Sequence, residues 1–128
     1  MRVEVAGAAV PRLSRREIAA FARRVLRAAR GKLDELSIVV VDDKTMRALN
    51  KKFRRQDKTT DVLTFPDEIV ISLDRARRQA REEEHSLATE VRYLIAHGVL
   101  HALGYDHETD HGEMNALELK VREKVGLA

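Results

Sequence analysis

Cysteine and tryptophan are absent from this chain of 128 residues, and its aromatic side chains are limited to three Phe and two Tyr. Without cysteine the protein has no disulfide framework and no cysteine-ligated zinc finger, so any metal ion must be bound by His, Asp or Glu. No run of about 18 apolar residues occurs, which argues against a membrane-spanning helix. The scarcity of aromatic residues argues against a base-stacking module such as an RRM.

The composition is typical of one globular domain, which we predict over residues 1–128. Hydrophobic residues make up 44% of the chain and charged residues 35%, which is normal for a folded soluble protein and unlike a disordered one. The amino-terminal residues include charges and no apolar segment follows them. The sequence therefore predicts no export signal and a cytoplasmic location.

Charge is distributed unevenly along the chain. Residues 1–60 contain 16 Lys and Arg against 7 Asp and Glu, a net charge of +9, whereas residues 61–128 contain 8 against 14, a net charge of −6. A basic half suggests that one face binds a polyanion such as RNA. The alternative is an ordinary solvated surface, and charge alone does not choose between the two.

Hydrophobic periodicity predicts an α+β fold in the order β-α-β-α-β-β-α-α-α, with a small mixed four-stranded sheet. Ser14 and Glu17 form a capping box for the first helix, and Asp43 is the predicted cap of the second. Residues 36–41 read as a strand buried on both faces, and 62–65 with 69–71 as a hairpin. A helix is predicted over 86–103, and from Tyr93 to Tyr105 the chain is apolar all round except for two histidines, so we expect this helix to be the central buried one.

Those two histidines begin the informative segment, residues 97–107. His97 and His101 are four residues apart, so both imidazoles project from one helix face. Gly104 can adopt positive φ, end the helix and let His107 return toward the first two. The spacing His-x3-His-x2-Gly-x2-His is that of the metzincin zinc site. Three imidazoles would leave a fourth position open for water.

A structural role is the alternative for these histidines. A pair at this spacing more often consists of core histidines that are hydrogen-bonded to backbone carbonyls. The glycine and the third histidine in register favour metal binding. Gly98 stands where metzincins carry the Glu that acts as general base, which argues against peptidase activity.

Several charged residues are candidates around this centre. Arg54 could grip a phosphate through two parallel hydrogen bonds, although a solvent-exposed basic loop is the more common situation for such a residue. Glu90 and Asp106 could orient a ligand histidine by accepting its second ring N–H, or be a first-turn acid and a turn residue respectively. We expect His85 and His111 to be solvated and Tyr105 to serve packing.

The segment 97–107, HGVLHALGYDH, resembles the signature HGxLHLxGYDH of the YbeY family, bacterial metal-dependent endoribonucleases linked to ribosomal RNA maturation. Other blocks lie in register with it. In this chain they are LN at 49–50, FR at 53–54 where members carry (Y/W)R, TDVLTFP at 60–66 where members carry TDVLSFP, EIVIS at 68–72 where members carry GDIVIS, and Met114 with Glu118. Thr64, Asp67 and Ala102 depart from the pattern, and the connection around 66–68 is shorter than is usual in members.

The resemblance implies a zinc-dependent endoribonuclease that acts on single-stranded rRNA, with roles in 16S rRNA 3′-end maturation and ribosome quality control. It makes His97, His101 and His107 the ligands of one zinc ion and Arg54 the catalytic-cleft arginine. Nickel or another divalent ion is an alternative, since three imidazoles bind several metals. The partners implied are RNA, the small ribosomal subunit and its assembly proteins, without DNA or membrane.

The basic residues Lys51, Lys52 and Arg55 are RNA-binding candidates. Because no general base stands at Gly98, a second function stays open. In that alternative the protein is a metal-stabilised RNA- or ribosome-binding assembly factor with little intrinsic hydrolysis.

Overall fold

The computed structural model describes residues 1–106 and 110–127, which form a mixed sheet and five helices. The elements in chain order are β1 (Arg2–Gly7), α1 (Arg15–Ala28), β2 (Glu35–Val41), α2 (Asp43–Arg54), β3 (Val62–Phe65), β4 (Glu68–Ser72), α3 (Leu73–Glu82), α4 (Leu87–Ala102) and α5 (Glu113–Lys124). The α+β class and the order predicted from periodicity are confirmed. Within the described residues, no helix combines the length and the apolar character needed to cross a bilayer.

The sheet has the strand order β1-β2-β4-β3. Strand β2 pairs in parallel with β1 and β4, whereas β3 pairs antiparallel to β4 with Phe65 opposite Glu68. A two-residue turn, Pro66-Asp67, joins β3 to β4 and confirms the predicted hairpin. Strand β3 is therefore an edge strand, and it forms one wall of the cleft described below.

Different helices cover the two faces of the sheet, because successive side chains of a strand point to opposite sides. Ile38 and Ile69 pack with α1, α4 and α5 in the main core. Val70 packs with Met46 of α2 in a smaller core on the other face. Strand β2 alternates between buried and half-buried residues, so the prediction that it is buried on both faces is wrong. Helix α2 packs over β4 and leaves that face of β2 partly open.

Helix α4 is the central helix, as predicted. It contacts α1, α3 and α5 as well as strands β3 and β4, and eight of its residues are buried. Gly98 lies against the sheet without room for a side chain, since a Cβ atom there would lie 2.9 Å from Ile69 Cγ2. Gly104 follows the helix with a φ of +100°, which is the left-handed conformation expected at this position.

Side chains cap the starts of α1 to α4, with one difference from expectation. Ser14 and Glu17 form the predicted capping box of α1. Asp42 caps α2 by accepting a hydrogen bond from the Thr45 backbone N–H at 2.8 Å, so the assignment of this role to Asp43 is wrong. The Asp43 side chain instead accepts hydrogen bonds from groups outside α2.

Asp43 joins three parts of the fold. Its carboxylate accepts hydrogen bonds from Ser72 Oγ at 2.6 Å and Thr59 Oγ1 at 3.0 Å, and it pairs with Arg78 Nη2 at 2.8 Å. Burial raises the pKa of Asp43, but the hydrogen bonds from Ser72, Arg78 and Thr59 outweigh it and hold the pKa below its usual value of 3.8. This carboxylate therefore fastens α2 to α3 and to the connection that leads to β3.

Candidate metal centre and cleft

Two histidines one turn apart on α4 converge on a single point. His97 Nε2 and His101 Nε2 are 3.0 Å apart, and their ring centroids are 4.6 Å apart. Two imidazoles bound to one tetrahedral zinc ion at about 2.0–2.1 Å each would have their nitrogens roughly 3.3 Å apart. The pair therefore has close to the spacing that a shared ion requires.

The carboxylate of Glu118 orients the first of these histidines. Glu118 is buried, its Oε1 lies 2.7 Å from His97 Nδ1, and its Oε2 lies 3.4 Å from Arg122 Nη2. A carboxylate in this position favours a proton on Nδ1 and leaves the Nε2 lone pair for a metal. The donor set thus fits a metal ion, and the contact differs from the backbone-carbonyl partner expected of a core histidine.

The third predicted ligand, His107, lies outside the described residues. Across 1–106 and 110–127, no group of three His, Asp or Glu side chains is placed to hold a metal ion. The structure therefore brings together two of the three predicted ligands, and the assignment of His107 stays a prediction.

Both histidines line a cavity of about 640 Å³ that runs along the edge strand β3. Its remaining walls include Tyr105 and Asp106, which follow α4. Tyr105 is exposed, so the expectation that it serves packing is wrong. Asp106 lines the same cavity as the histidines, which keeps it as a candidate for orienting a ligand. The two histidines are half-buried because their side chains line this cleft.

Arg54 reaches this cleft from the far side of the sheet. It is the last residue of α2 and lies at the free edge of β3, where its Nη2 donates a hydrogen bond to the Thr64 carbonyl at 2.8 Å. Its guanidinium also lies 5.5 Å from the centroid of the Phe65 ring. The side chain is exposed, as expected of a basic loop, but it is fixed in place and lines the same cavity as His97 and His101.

The other basic candidates surround Arg54. Lys51 and Lys52 lie in the last turn of α2 and Arg55 caps its end, and all three are exposed. The arginines of α1 lie elsewhere, because α1 packs on the opposite face of the sheet from α2. The basic half of the chain therefore does not form one continuous face.

A second cavity, of about 560 Å³, adjoins the first, and both are lined by Asp61 and His97. Asp61 had no predicted role. Its carboxylate accepts hydrogen bonds from its neighbour's backbone N–H and from the Gln79 amide at 3.2 Å. It was missed because a carboxylate before a strand carries no local signal of function.

The second cavity also contains Glu90 and His85, and the expectation that His85 is solvated needs correction. His85 Nε2 lies 2.6 Å from Glu90 Oε1, and the His85 ring stacks on Tyr93 with centroids 5.4 Å apart. His85 is thus half-buried rather than solvated. Glu90 is a buried first-turn acid of α4, which is one of its two expected roles, and its hydrogen bond goes to His85. The carboxylate beside His97 Nδ1 is that of Glu118. The expectation for His111 is met, because that residue is exposed.

Comparison with known proteins adds to this geometry. A family model described as Endoribonuclease YbeY matches residues 8–126. Proteins named Endoribonuclease YbeY from Koribacter versatilis and Solibacter usitatus are 44% and 45% identical to this chain, over 90% of it and over 80% and 82% of their own lengths. The solution structure of TM1509 from Thermotoga maritima superimposes with a TM-score of 0.64 at 26% identity, covering 96% of this chain and 88% of that one.

Proposed function

The chain belongs to the endoribonuclease YbeY family, and from this membership we propose that it is a zinc-dependent endoribonuclease of single-stranded RNA. Its substrate in the cytoplasm is rRNA, at the 3′ end of the 16S species, and its partners are the small ribosomal subunit and assembly proteins. The observation that supports this proposal best is the placement of His97, His101 and Arg54 in one cavity.

His97 and His101, together with His107, would hold one zinc ion. When bound, such an ion acts as a Lewis acid toward a phosphoryl oxygen and lowers the pKa of a bound water to about 7. Glu118 keeps the proton of His97 on Nδ1, so that Nε2 stays directed into the cleft.

Arg54 binds the scissile phosphate from the other wall. A guanidinium has five N–H donors in a rigid fork, of which one goes to the Thr64 carbonyl. This hydrogen bond fixes the orientation of the remaining donors before the substrate arrives. Donors fixed in advance stabilise the negative charge that develops on phosphoryl oxygens in the transition state.

A second candidate function is an RNA-binding assembly factor with little hydrolysis. Gly98 supports it, because the position of the metzincin general base carries no side chain and has no room for one beside Ile69. Asp61 lines the cleft but its carboxylate is engaged with Gln79 and a backbone N–H. Neither position therefore offers a free side-chain base for proton transfer.

One experiment separates these functions. Purified protein is analysed for metal and incubated with a single-stranded oligonucleotide that spans the 3′ end of 16S rRNA, with and without a chelator. We expect one zinc per chain, cleavage that stops on chelation and cleavage that returns with zinc. RNA binding without cleavage by the zinc-loaded protein would favour the assembly factor, and zinc-independent cleavage would overturn the proposal.

The ligand assignment is tested by His101→Ala with His111→Ala as the control, since His111 is exposed. We expect His101→Ala to lose the metal and to melt at a lower temperature, because metal binding contributes folding energy. The control should retain both. Full zinc occupancy in His101→Ala would refute the assignment.

A further inference from the structure

One aromatic side chain stands at the rim of the cleft with much of its surface exposed. Phe53, in the last turn of α2, is 51% exposed. Phe65 packs against it in an edge-to-face arrangement, with ring centroids 5.4 Å apart and planes at 75°. This contact holds the Phe53 ring in a defined orientation although no core surrounds it.

The Phe53 ring extends the cleft on the side of Arg54. Phe65 lines the cavity that contains His97 and His101, and the Arg54 guanidinium lies against the Phe65 ring. A nucleotide whose phosphate contacts Arg54 would therefore have Phe53 within reach of a neighbouring base.

Charge indicates the direction in which a nucleic-acid strand leaves the cleft. The adjoining second cavity is lined by four carboxylates, those of Asp61, Glu82, Glu83 and Glu90, and by one arginine, Arg122. Carboxylates therefore predominate there, and they repel phosphates. The end of α2 instead presents Lys51, Lys52 and Arg55 to solvent. A bound strand is thus drawn past the exposed Phe53 ring rather than into the acidic cavity.

We propose that Phe53 is a stacking platform for one nucleobase of single-stranded RNA, next to the phosphate bound by Arg54. This inference rests on the proposed function. Lys52 Nζ now lies 5.2 Å from the centroid of the Phe53 ring, a weak contact at an exposed site. The incoming base takes this place over the ring, and the ammonium group moves to an adjacent phosphate. Such stacking tolerates any sequence, because every base has a π face.

The test measures binding of a fluorescent, 2′-O-methyl single-stranded RNA by anisotropy for the zinc-loaded wild type, Phe53→Leu and Phe53→Tyr. Leucine keeps an apolar contact with Phe65 but has no π face, whereas tyrosine keeps the π face. We expect Phe53→Leu to weaken binding by about 5- to 150-fold, the range for loss of one stacked base, and Phe53→Tyr to bind within about twofold of the wild type. Leu119→Ala, at a 56% exposed apolar residue of α5, should bind normally.

A series of oligonucleotides with one abasic site at successive positions identifies the stacked base. At one position, base removal should weaken binding to the wild type but have no further effect on Phe53→Leu. Equal binding by Phe53→Leu and the wild type would overturn the platform while leaving the proposed function intact. A wild type that neither binds nor cleaves single-stranded RNA would instead overturn the proposed function.

Discussion

At the scale of single residues, the guanidinium of Arg54 differs from the neighbouring basic groups because two contacts hold it in a fixed orientation. The hydrogen bond to the Thr64 carbonyl and the contact with the Phe65 ring fix it at the cleft, whereas Arg55 is the exposed cap of the same helix. Two adjacent residues with the same charge therefore differ in whether they can contribute fixed donors to a transition state.

We expect Arg54→Lys to retain zinc, the fold and most of the attraction for RNA, because the charge is unchanged. It should lose the planar fork, and cleavage should fall by roughly 10² or more, as when one transition-state donor is removed. Single-turnover cleavage of the rRNA oligonucleotide measures this effect. Arg55→Lys is the control and should be nearly silent. Wild-type cleavage by Arg54→Lys would show that Arg54 is a surface charge.

A sequence pattern reveals a site residue when the pattern lies within a few neighbouring positions. It misses a residue whose role depends on a tertiary contact with a distant part of the chain. His97 and His101 were predictable because helical periodicity alone places them on one face. The family resemblance includes the position of Glu118 but not its role, because Glu118 meets His97 through the packing of α5 on α4, 21 residues later. The pairing of Glu90 with His85 was hidden for a related reason, since it depends on how the segment before α4 folds back.

At the scale of elements, the contact between α4 and β4 depends on the missing side chain of Gly98. A Cβ atom at this position would lie 2.9 Å from Ile69 Cγ2 and 3.1 Å from Ile69 Cδ1. Ile69 is β-branched and fully buried, so it has little freedom to move aside. The close approach of the two elements thus explains why this position carries no general base.

We expect Gly98→Ala to be destabilised by about 1 kcal/mol, since overpacking costs about 1–3 kcal/mol and alanine recovers about 1 kcal/mol of helix propensity. Denaturant unfolding measures this difference. In an Ile69→Ala background, which provides room, the same change should be neutral or stabilising. Gly98→Glu should fail to fold rather than gain peptidase activity. Independent effects of the two substitutions would contradict the proposed clash.

The connection between α2 and the edge strand depends on Asp43. Because its pKa is lower in the folded protein than its usual value of 3.8, its contribution to stability is fully present above that pH and is lost as the pH falls through the folded-state pKa. We expect Asp43→Asn to lose about 1.5–3 kcal/mol at pH 7, in line with hydrogen bonds to a charged group. The difference from the wild type should fade under more acidic conditions.

Denaturant unfolding at several pH values provides the measurement, with Asp57→Asn as its control. Asp57 pairs with Arg47 on the exposed side of α2 at 2.8 Å, so its loss should have little effect. A deficit for Asp43→Asn that stays constant into strong acid would show that shape rather than charge matters at this position.

Secondary structure was largely readable from the sequence, because caps and periodicity are local. The capping box at Ser14 and the hairpin of β3 and β4 are examples, although the turn has two residues where the sequence predicted three. The half-open face of β2 was not predictable, because a continuous run of β-branched residues occurs both in strands covered by helices on one face and in strands covered on two. The exposure of this face is determined by the packing of α2 over β4, which is a tertiary contact.

At the scale of the whole molecule, the excess of positive charge in residues 1–60 is divided between two surfaces. Helix α1 packs with the main core on one face of the sheet, and α2 packs with the smaller core on the other. The end of α2 adjoins the cleft, because Arg54 at its last position lines the cavity with the histidines. The net charge of a half-chain therefore overstates the size of any single RNA-binding surface.

This division predicts that the location of charge, rather than its total, governs RNA binding. Replacing Lys51, Lys52 and Arg55 with Gln removes three charges beside the cleft. Binding of single-stranded RNA should weaken, and the slope of log affinity against log salt concentration should become shallower by about 0.7 for each phosphate contact removed.

The control replaces Arg16, Arg27 and Arg30, which are exposed residues of α1 and its end, with Gln. It changes the net charge by the same amount on the other face. That triple variant should bind with a nearly unchanged slope, and anisotropy titrations over a series of salt concentrations compare the two. If both triple variants flatten the slope equally, RNA senses the field of the whole molecule, and the end of α2 has no special role in guiding the strand to the histidines.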